Sequence, residues 1–126
     1  MAAEWSAFLT DVQADRVDTT VQMWVCAHGD LHWNNVTAPG CVLLDWEGWG
    51  MAPLGYDAAT LYCHSLLVPD VAARVREEFT DVLDTPDGVR SQLLVIARML
   101  QRSVHGDYPA LVALLHRLAD DLLTRR

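Results

Sequence analysis

The sequence predicts a mostly helical α+β fold that contains one small β-hairpin. Apolar residues make up 52% of the 126 residues, which is enough for one packed domain and argues against disorder. Residues 21–44 contain short segments rich in β-branched and apolar side chains, which are typical of strands. Residues 56–124 instead repeat apolar side chains at the 3.6-residue spacing of helices. The hairpin is therefore expected to precede a helical region.

The first elements along the chain are predicted to be a helix, a strand and a polar loop. Apolar side chains in residues 4–18 follow the helical spacing, which indicates an amphipathic helix. Residues 21–27 alternate in polarity and are rich in β-branched and aromatic side chains, so they are predicted to form a strand. Residues 28–35 combine glycine, aspartate and asparagine, and are predicted to form a loop.

The second half of the hairpin is predicted from the next apolar segments. Residues 36–42 are expected to form a strand, a turn and a strand, with the break at Ala38-Pro39-Gly40. Residues 41–44 continue as the second strand, which ends directly before Asp45. Residues 48–55 contain three glycines and a proline, and this composition predicts an irregular segment.

The remaining residues are predicted to form helices. Residues 56–67 are apolar on most sides, which indicates a buried helix, and the next helix begins at Pro69-Asp70. Thr85 is a suitable N-cap before Pro86 for a third helix that stops near residue 106. Asp107 is expected to cap the last helix. The apolar stripe of that helix consists of Leu111, Leu114, Leu115, Leu118 and Leu122.

The charge of the chain is acidic and unevenly distributed. All nine basic residues are arginine and there are seventeen acids, so the formal net charge is −8. Eight of the acids and only one arginine, Arg16, lie in residues 1–67. A negative field of this kind attracts metal ions or cationic substrates and repels nucleic acid. Metal ions or a cationic small-molecule substrate are therefore expected as partners, and nucleic acid is not.

The sequence also predicts a cytoplasmic protein with no membrane contact. The N-terminus lacks the basic start and apolar run of a secretory leader, and no apolar run approaches the ~20 residues that a membrane span needs. The three cysteines have no Cys-x-x-Cys spacing, which favours reduced thiols.

Three polar side chains in the hairpin region form a spaced set. Asp30 is followed by Asn35 five residues later and by Asp45 ten residues after that. Phosphoryl transfer needs a carboxylate that orients the attacking hydroxyl, with an amide and a second carboxylate that hold Mg²⁺ on the nucleotide phosphates. Aspartate and asparagine are also common turn residues, so each alone is uninformative. The hypothesis of phosphoryl transfer therefore depends on the spacing of the three residues.

These residues belong to a longer motif that resembles a known family. The segments are His28-Gly29-Asp30-Leu31-His32-Trp33-Asn34-Asn35, then Asp45-Trp46-Glu47, then Pro53-Leu54-Gly55-Tyr56-Asp57-Ala58-Ala59. Their order and spacing resemble the catalytic core of the aminoglycoside phosphotransferase and choline kinase-like family, a branch of the protein-kinase-like fold. The clear match covers residues 21–62. The resemblance implies that residues 1–126 form one C-lobe, with a catalytic and metal-binding core at 18–62 and a helical subdomain at 63–126.

The resemblance also implies the chemistry of four side chains. Asp30 would be the catalytic base toward a hydroxyl group of a small molecule, and His32 would position Asp30 or a phosphate. Asn35 and Asp45 would bind Mg²⁺, which prefers a few carboxylate or amide oxygens together with phosphate and water. ATP would be the phosphoryl donor.

Three further residues would support this site. The resemblance implies that His28 braces its loop against the Asp45 segment and that Asp57 holds the backbone of the catalytic loop. Glu47 would contact the metal or the substrate, although a solvated acid explains it equally well. A metal-dependent hydrolase is an alternative, because His28-x-Asp30-x-His32 offers three metal ligands, but the other histidines show no zinc spacing.

A kinase of this type also needs an N-lobe that supplies a Gly-rich loop and a lysine for the phosphates. The chain has no lysine, and no glycine precedes His28, so the N-lobe is expected to be absent from it. The chain would then be a fragment, one half of a split enzyme, or a non-catalytic protein that keeps the lobe for binding. A separate N-lobe chain or self-association is expected, because apolar surface near Trp24, Trp33 and Trp49 would be bare.

Overall fold

The computed structural model describes residue 18 and residues 20–124. The helix predicted over residues 4–18 therefore lies outside the described residues, apart from Asp18. The described part of the chain is mostly helical and contains one two-stranded antiparallel sheet, which confirms the α+β prediction. Its elements are β1 (Trp24–Ala27), β2 (Gly50–Pro53), α1 (Tyr56–His64), α2 (Pro69–Glu78), α3 (Thr80–Leu83), α4 (Pro86–Ser103) and α5 (Val112–Thr124).

The strand that pairs with β1 differs from the prediction. Residues 41–44 do not form a strand, because their pairing with the preceding segment is limited to one isolated bridge, between Leu43 and Val36. The partner of β1 is β2, which lies in the segment predicted to be irregular, with Cys26 opposite Met51. Glycine and proline are tolerated here because both strands of a two-stranded sheet are edge strands. Residues 28–49 thus form a long connection between the paired strands.

The helices largely follow the prediction. Thr85 caps α4, because its hydroxyl accepts a hydrogen bond from the backbone N–H of Gly88 at 2.9 Å. The predicted second helix is divided at Phe79 into α2 and α3. The prediction that Asp107 caps the last helix is wrong, since α5 begins at Val112 and Asp107 pairs with Arg102 instead.

The core forms where α4 packs between α1 and α5. Most residues of α4 from Asp87 to Met99 are buried, and the stripe predicted for the last helix faces α4. The most deeply buried apolar side chains include Leu94 of α4, Leu115 of α5 and Cys63 of α1. Burying such side chains is the main favourable contribution to folding. The helical layer therefore provides a rigid base for the connection between the strands.

A buried ion pair attaches the start of the sheet to this layer. The Asp87 carboxylate accepts hydrogen bonds from the backbone N–H groups of Gln22 and Met23, at 2.9 and 2.7 Å. It also accepts one from the Arg90 guanidinium at 3.0 Å, and Arg90 donates to the carbonyl of Asp18 at 2.7 Å. The chain that leads into β1 is therefore held by α4. Among the described helices, none has the length and apolar character that crossing a membrane requires.

Candidate active site

The loop that follows β1 is held by a carboxylate from α1. The backbone N–H of His28 donates to Asp57 Oδ2 at 2.8 Å, and that of Gly29 donates to Oδ1 at 3.1 Å. The two oxygens of the Asp57 carboxylate thus accept hydrogen bonds from two consecutive backbone N–H groups. Hydrogen bonds to a charged acceptor are stronger than neutral ones. Asp57 therefore determines where the loop leaves the sheet.

The His28 ring connects this loop to the segment before Asp45. Its Nδ1 accepts the backbone N–H of Asp30 at 3.1 Å, and its Nε2 lies 2.6 Å from the carbonyl oxygen of Leu44. Because the N–H can only donate and the carbonyl can only accept, the ring is the neutral tautomer with its proton on Nε2. The ring is buried and lies 4.5 Å from the Trp46 ring, centroid to centroid.

A close approach of two glycines brings the same segments together. Gly29 has a φ of 93°, which favours glycine. A Cβ at Gly29 would overlap the carbonyl oxygen of Gly48 and would lie 2.8 Å from its carbonyl carbon. The backbone next to Asp30 therefore lies directly against the backbone that follows Glu47.

Asp30, His32 and Asn35 form one cluster on the loop. The buried Asn35 side chain donates from Nδ2 to the Asp30 carbonyl at 2.8 Å, and it lies 3.4 Å from Asp30 Oδ2. His32 Nε2 lies 3.5 Å from Asp30 Oδ1. The Asp30 side chain is 46% exposed, so a solute can reach its carboxylate while Asn35 and His32 restrict its orientation.

Asn35 and Asp45 are brought close by main-chain pairing. The backbone N–H of Leu44 donates to the Asn35 carbonyl at 2.8 Å, which places Asp45 one residue beyond a direct partner of Asn35. Asp45 is exposed and has a left-handed φ of 57°, a conformation that aspartate tolerates better than most residues. With the Asn35 amide nitrogen directed at Asp30, the amide Oδ1 and the Asp45 carboxylate are the oxygens suited to Mg²⁺.

The donor set fits magnesium better than it fits zinc. Within the described residues there is no group of three or more His, Cys, Asp or Glu side chains that could hold a metal ion. Magnesium needs only one or two protein oxygens when phosphates and water complete its shell. The hydrolase alternative required His28 as a ligand, but both of its ring nitrogens are already hydrogen-bonded.

Three of the predicted residues share a cleft with two arginines, whereas His32 and Asn35 are not among the residues that line it. A cleft of about 300 Å³ is lined by Asp30, Asp45 and Glu47. Arg98 and Arg102 of α4 also line this cleft. Neither arginine was predicted from the sequence to belong to the site, because two arginines four residues apart near a helix C-terminus are also typical of a solvent-exposed face. Their four-residue spacing was the available signal, since it puts them on one side of α4.

A smaller pocket of about 50 Å³ continues from Asp30 between α1 and α4. His64 and Tyr56 are among its lining residues. Burial raises the pKa of Tyr56 to about 12, against the opposing effect of Arg98, which donates to the Tyr56 hydroxyl. Burial also lowers the pKa of His64, whose Nδ1 donates to the Thr60 carbonyl at 2.8 Å. Nε2 of His64 is buried and has no hydrogen-bond partner among the described residues.

The loop residues of this site lie in a part of the chain that matches a known protein family. The family model described as "Phosphotransferase enzyme family" matches residues 2–94, which include both strands and all the loop residues described above. Comparison with curated proteins and with solved structures gave no match.

Proposed function

Because the chain belongs to the phosphotransferase enzyme family, we propose that its cleft takes part in transfer of the γ-phosphoryl group of ATP to a hydroxyl group of a small molecule, with Mg²⁺. Two observations support this most: Asn35 donates a hydrogen bond to Asp30 and pairs with the residue before Asp45, and Asp30 and Asp45 line one cleft. Residues 1–126 would be one unit of the C-lobe type, with its catalytic core at 18–62 and its helical subdomain at 63–126.

In this proposal Asp30 accepts the proton of the acceptor hydroxyl as that oxygen bonds to the γ-phosphorus. The bond between the γ-phosphorus and the bridging oxygen breaks, and ADP leaves. His32 limits the orientations of the Asp30 carboxylate from 3.5 Å away. The partly exposed position of Asp30 suits this role, since the acceptor must reach it directly.

Asn35 and Asp45 would hold Mg²⁺, which, when bound, would offset the negative charge of the ATP phosphates. Glu47 lines the same cleft and would contact the metal hydration shell or the acceptor. His28 and Asp57 touch neither substrate in this scheme. They position Asp30 and Asp45 relative to each other through the main chain.

The donor side of the site would need a second structural unit. No lysine occurs in the 126 residues, so the lysine that usually contacts the α- and β-phosphates must come from elsewhere. Trp33 and Trp49 are 46% and 62% exposed, which supports docking of another chain or of a second copy on these apolar side chains. Trp24, in contrast, packs against the core and would contribute less to such a surface than the sequence led us to expect. Sedimentation of a strict monomer at all concentrations, alone and with candidate partners, would contradict this part.

The alternative of a non-catalytic binding protein is not favoured by the family match. The two functions are separated by thermal unfolding of the purified chain with ATP, with and without Mg²⁺. We expect ATP to raise the Tm only when Mg²⁺ is present, and we expect the rise to disappear in Asp45→Asn. Asparagine also tolerates a left-handed backbone, so this variant should keep the fold.

Asp70→Asn is the matched control, because Asp70 is exposed at the start of α2, outside the cleft. This control should keep the full Mg²⁺-dependent rise. An ATP effect of equal size in Asp45→Asn would contradict the proposed nucleotide site, and no effect of ATP on a well-folded chain would contradict a nucleotide site that forms without the second structural unit.

A further inference from the structure

Arg98 and Arg102 are positively charged groups next to the candidate catalytic base of an acidic protein. Both lie on α4 and both line the cleft that also contains Asp30. They lie one helical turn apart, so the two guanidinium groups extend from the same face of α4. The position of these two arginines beside the carboxylates of the cleft suggests that they bind part of a substrate.

The pocket that continues from this cleft indicates which substrate the arginines face. The smaller pocket between α1 and α4 is lined by Asp30, Arg98 and Arg102, but not by Asp45 or Glu47. Arg98 and Arg102 therefore share both pockets with the base Asp30, whereas Asp45 shares only the larger cleft with them. In a phosphotransferase the base contacts the acceptor, while the metal contacts the donor phosphates. This placement assigns the arginines to the acceptor.

Both guanidinium groups are already oriented by neighbouring side chains. Arg98 donates to the hydroxyl of the buried Tyr56. Arg102 lies 5.9 Å from the centre of the Tyr108 ring, and its Nε donates to Asp107 Oδ2 at 3.2 Å. Tyr108 has a φ of 56°, which is unusual for a residue with a side chain. Such backbone strain occurs most often at functional sites.

We propose that Arg98 and Arg102 bind an anionic group, a carboxylate or a phosphate, of the acceptor whose hydroxyl reacts at Asp30. This inference rests on the proposed function for the identity of the reacting hydroxyl. A guanidinium binds planar carboxylate and phosphate oxygens through paired N–H donors, whereas it repels an ammonium group. The acidic charge of residues 1–67 led to the expectation of a cationic acceptor, but the charges next to Asp30 favour the opposite sign.

The ion pair between Arg102 and Asp107 adds a specific consequence. Both side chains are largely exposed, at 64% and 48%, and exposed pairs contribute little to stability. A bound anion can therefore replace Asp107 as the partner of Arg102. Asp107→Asn should remove this competition and tighten anion binding, although it leaves the arginines unchanged.

The test is a binding panel of small hydroxylated compounds in three charge classes. The anionic class contains hydroxy acids and sugar phosphates of three to six carbons, the neutral class contains matched polyols, and the cationic class contains amino sugars and amino alcohols. Thermal unfolding and isothermal calorimetry at constant ionic strength would measure binding to the whole chain. We expect binding from the anionic class, and the comparison of hydroxy acids with sugar phosphates identifies which anion is preferred.

Variants link the binding to the two arginines. Arg102→Gln lies at an exposed position and should fold normally, and we expect it to weaken anion binding about tenfold, the usual effect of one lost charge-assisted hydrogen bond. Arg98→Lys keeps the positive charge and should weaken binding less than Arg98→Gln does. Arg117→Gln is the matched control, because Arg117 is exposed on α5 and does not line the cleft.

Preference for the cationic class, binding of no anion, or unchanged anion binding in both arginine variants would overturn the inference. Binding of ATP with Mg²⁺ is measured separately on the same samples. Anion binding that depends on the arginines without an Mg²⁺–ATP effect would contradict only the phosphotransferase proposal. An Mg²⁺–ATP effect with no preference for anions would contradict only the acceptor inference.

Discussion

The carboxylate of Asp57 accepts the backbone N–H of His28 at 2.8 Å, across 29 residues of sequence. This contact joins the first turn of α1 to the first residue of the loop that carries Asp30. His28 in turn contacts the Leu44 carbonyl, so one chain of hydrogen bonds connects α1, the Asp30 loop and the segment before Asp45. The site is therefore assembled by main-chain contacts, and the side chains that would react are left available.

The first prediction concerns Asp57→Asn. An amide offers one acceptor oxygen, so only one of the two N–H groups of His28 and Gly29 can keep its partner. We expect a loss of about 2–3 kcal/mol in the free energy of unfolding, measured by urea titration, because a buried donor loses a charged acceptor. Asp70→Asn, also in the first turn of a helix but exposed, should change stability by less than about 0.5 kcal/mol. Equal losses in the two variants would assign the effect to the helix terminus and not to the loop.

The second prediction compares two glycines that share a positive φ. Gly29 and Gly106 have φ values of 93° and 97°, so replacement by alanine strains the backbone at both. Only at Gly29 would the new Cβ collide with the Gly48 carbonyl, whereas no atom lies within 4 Å at Gly106. We expect Gly29→Ala to lower the unfolding free energy by about 1–3 kcal/mol more than Gly106→Ala does. Similar values for both would show that the close approach to Gly48 is unimportant.

The third prediction is a pH dependence that arises from His64. Burial lowers the pKa of its ring, an effect opposed by the hydrogen bond to the Thr60 carbonyl and by Asp30, and strengthened by electrostatic repulsion from neighbouring groups that include Arg102. The unfolded chain then binds the proton more readily than the folded chain does. The stabilisation is complete above the ordinary pKa of 6.5 and decreases as the pH falls below that value toward the lowered pKa of the folded state.

Urea titrations at pH 7.5 and pH 5 would measure this effect in the parent chain and in His64→Asn. Asparagine can keep the donor to the Thr60 carbonyl but does not titrate. We expect the parent to lose more stability between the two pH values than His64→Asn loses. His116→Asn, at an exposed position on α5, should behave like the parent. A pH dependence unchanged in His64→Asn would assign the effect to another group.

The fourth prediction concerns the buried pair of Asp87 and Arg90. Their side chains are 4% and 9% exposed, and Asp87 also accepts the N–H groups of Gln22 and Met23. Asp87→Asn leaves the buried Arg90 guanidinium with only the exposed carboxylate of Asp18, at 3.5 Å, as a counter-charge, so we expect a loss of about 3 kcal/mol in unfolding free energy. Glu78→Gln, which breaks an exposed pair with Arg74, should lose less than about 1 kcal/mol. Hydrogen exchange at β1 should accelerate in Asp87→Asn, and unchanged exchange there would contradict the anchoring role.

Much of the fold could be predicted because its signals are local. The N-cap at Thr85 depends only on the hydroxyl and the next three residues, and the helical stripes depend on spacing along one element. The start of the last helix was placed wrongly for the opposite reason. Asp107 has a suitable side chain for a cap, but its carboxylate instead accepts a hydrogen bond from Arg102 of the preceding helix.

The sequence by itself determined the mostly helical α+β class, strand β1, and the spaced set of Asp30, Asn35 and Asp45. These follow from residue type and spacing, which act over a few positions. Only the tertiary structure decided that β2, and not residues 41–44, pairs with β1. It also decided that Arg98 and Arg102 share a cleft with Asp30. Strand pairing and the meeting of distant side chains depend on how α1 and α4 pack, and that packing is a property of the whole core and not of any local pattern.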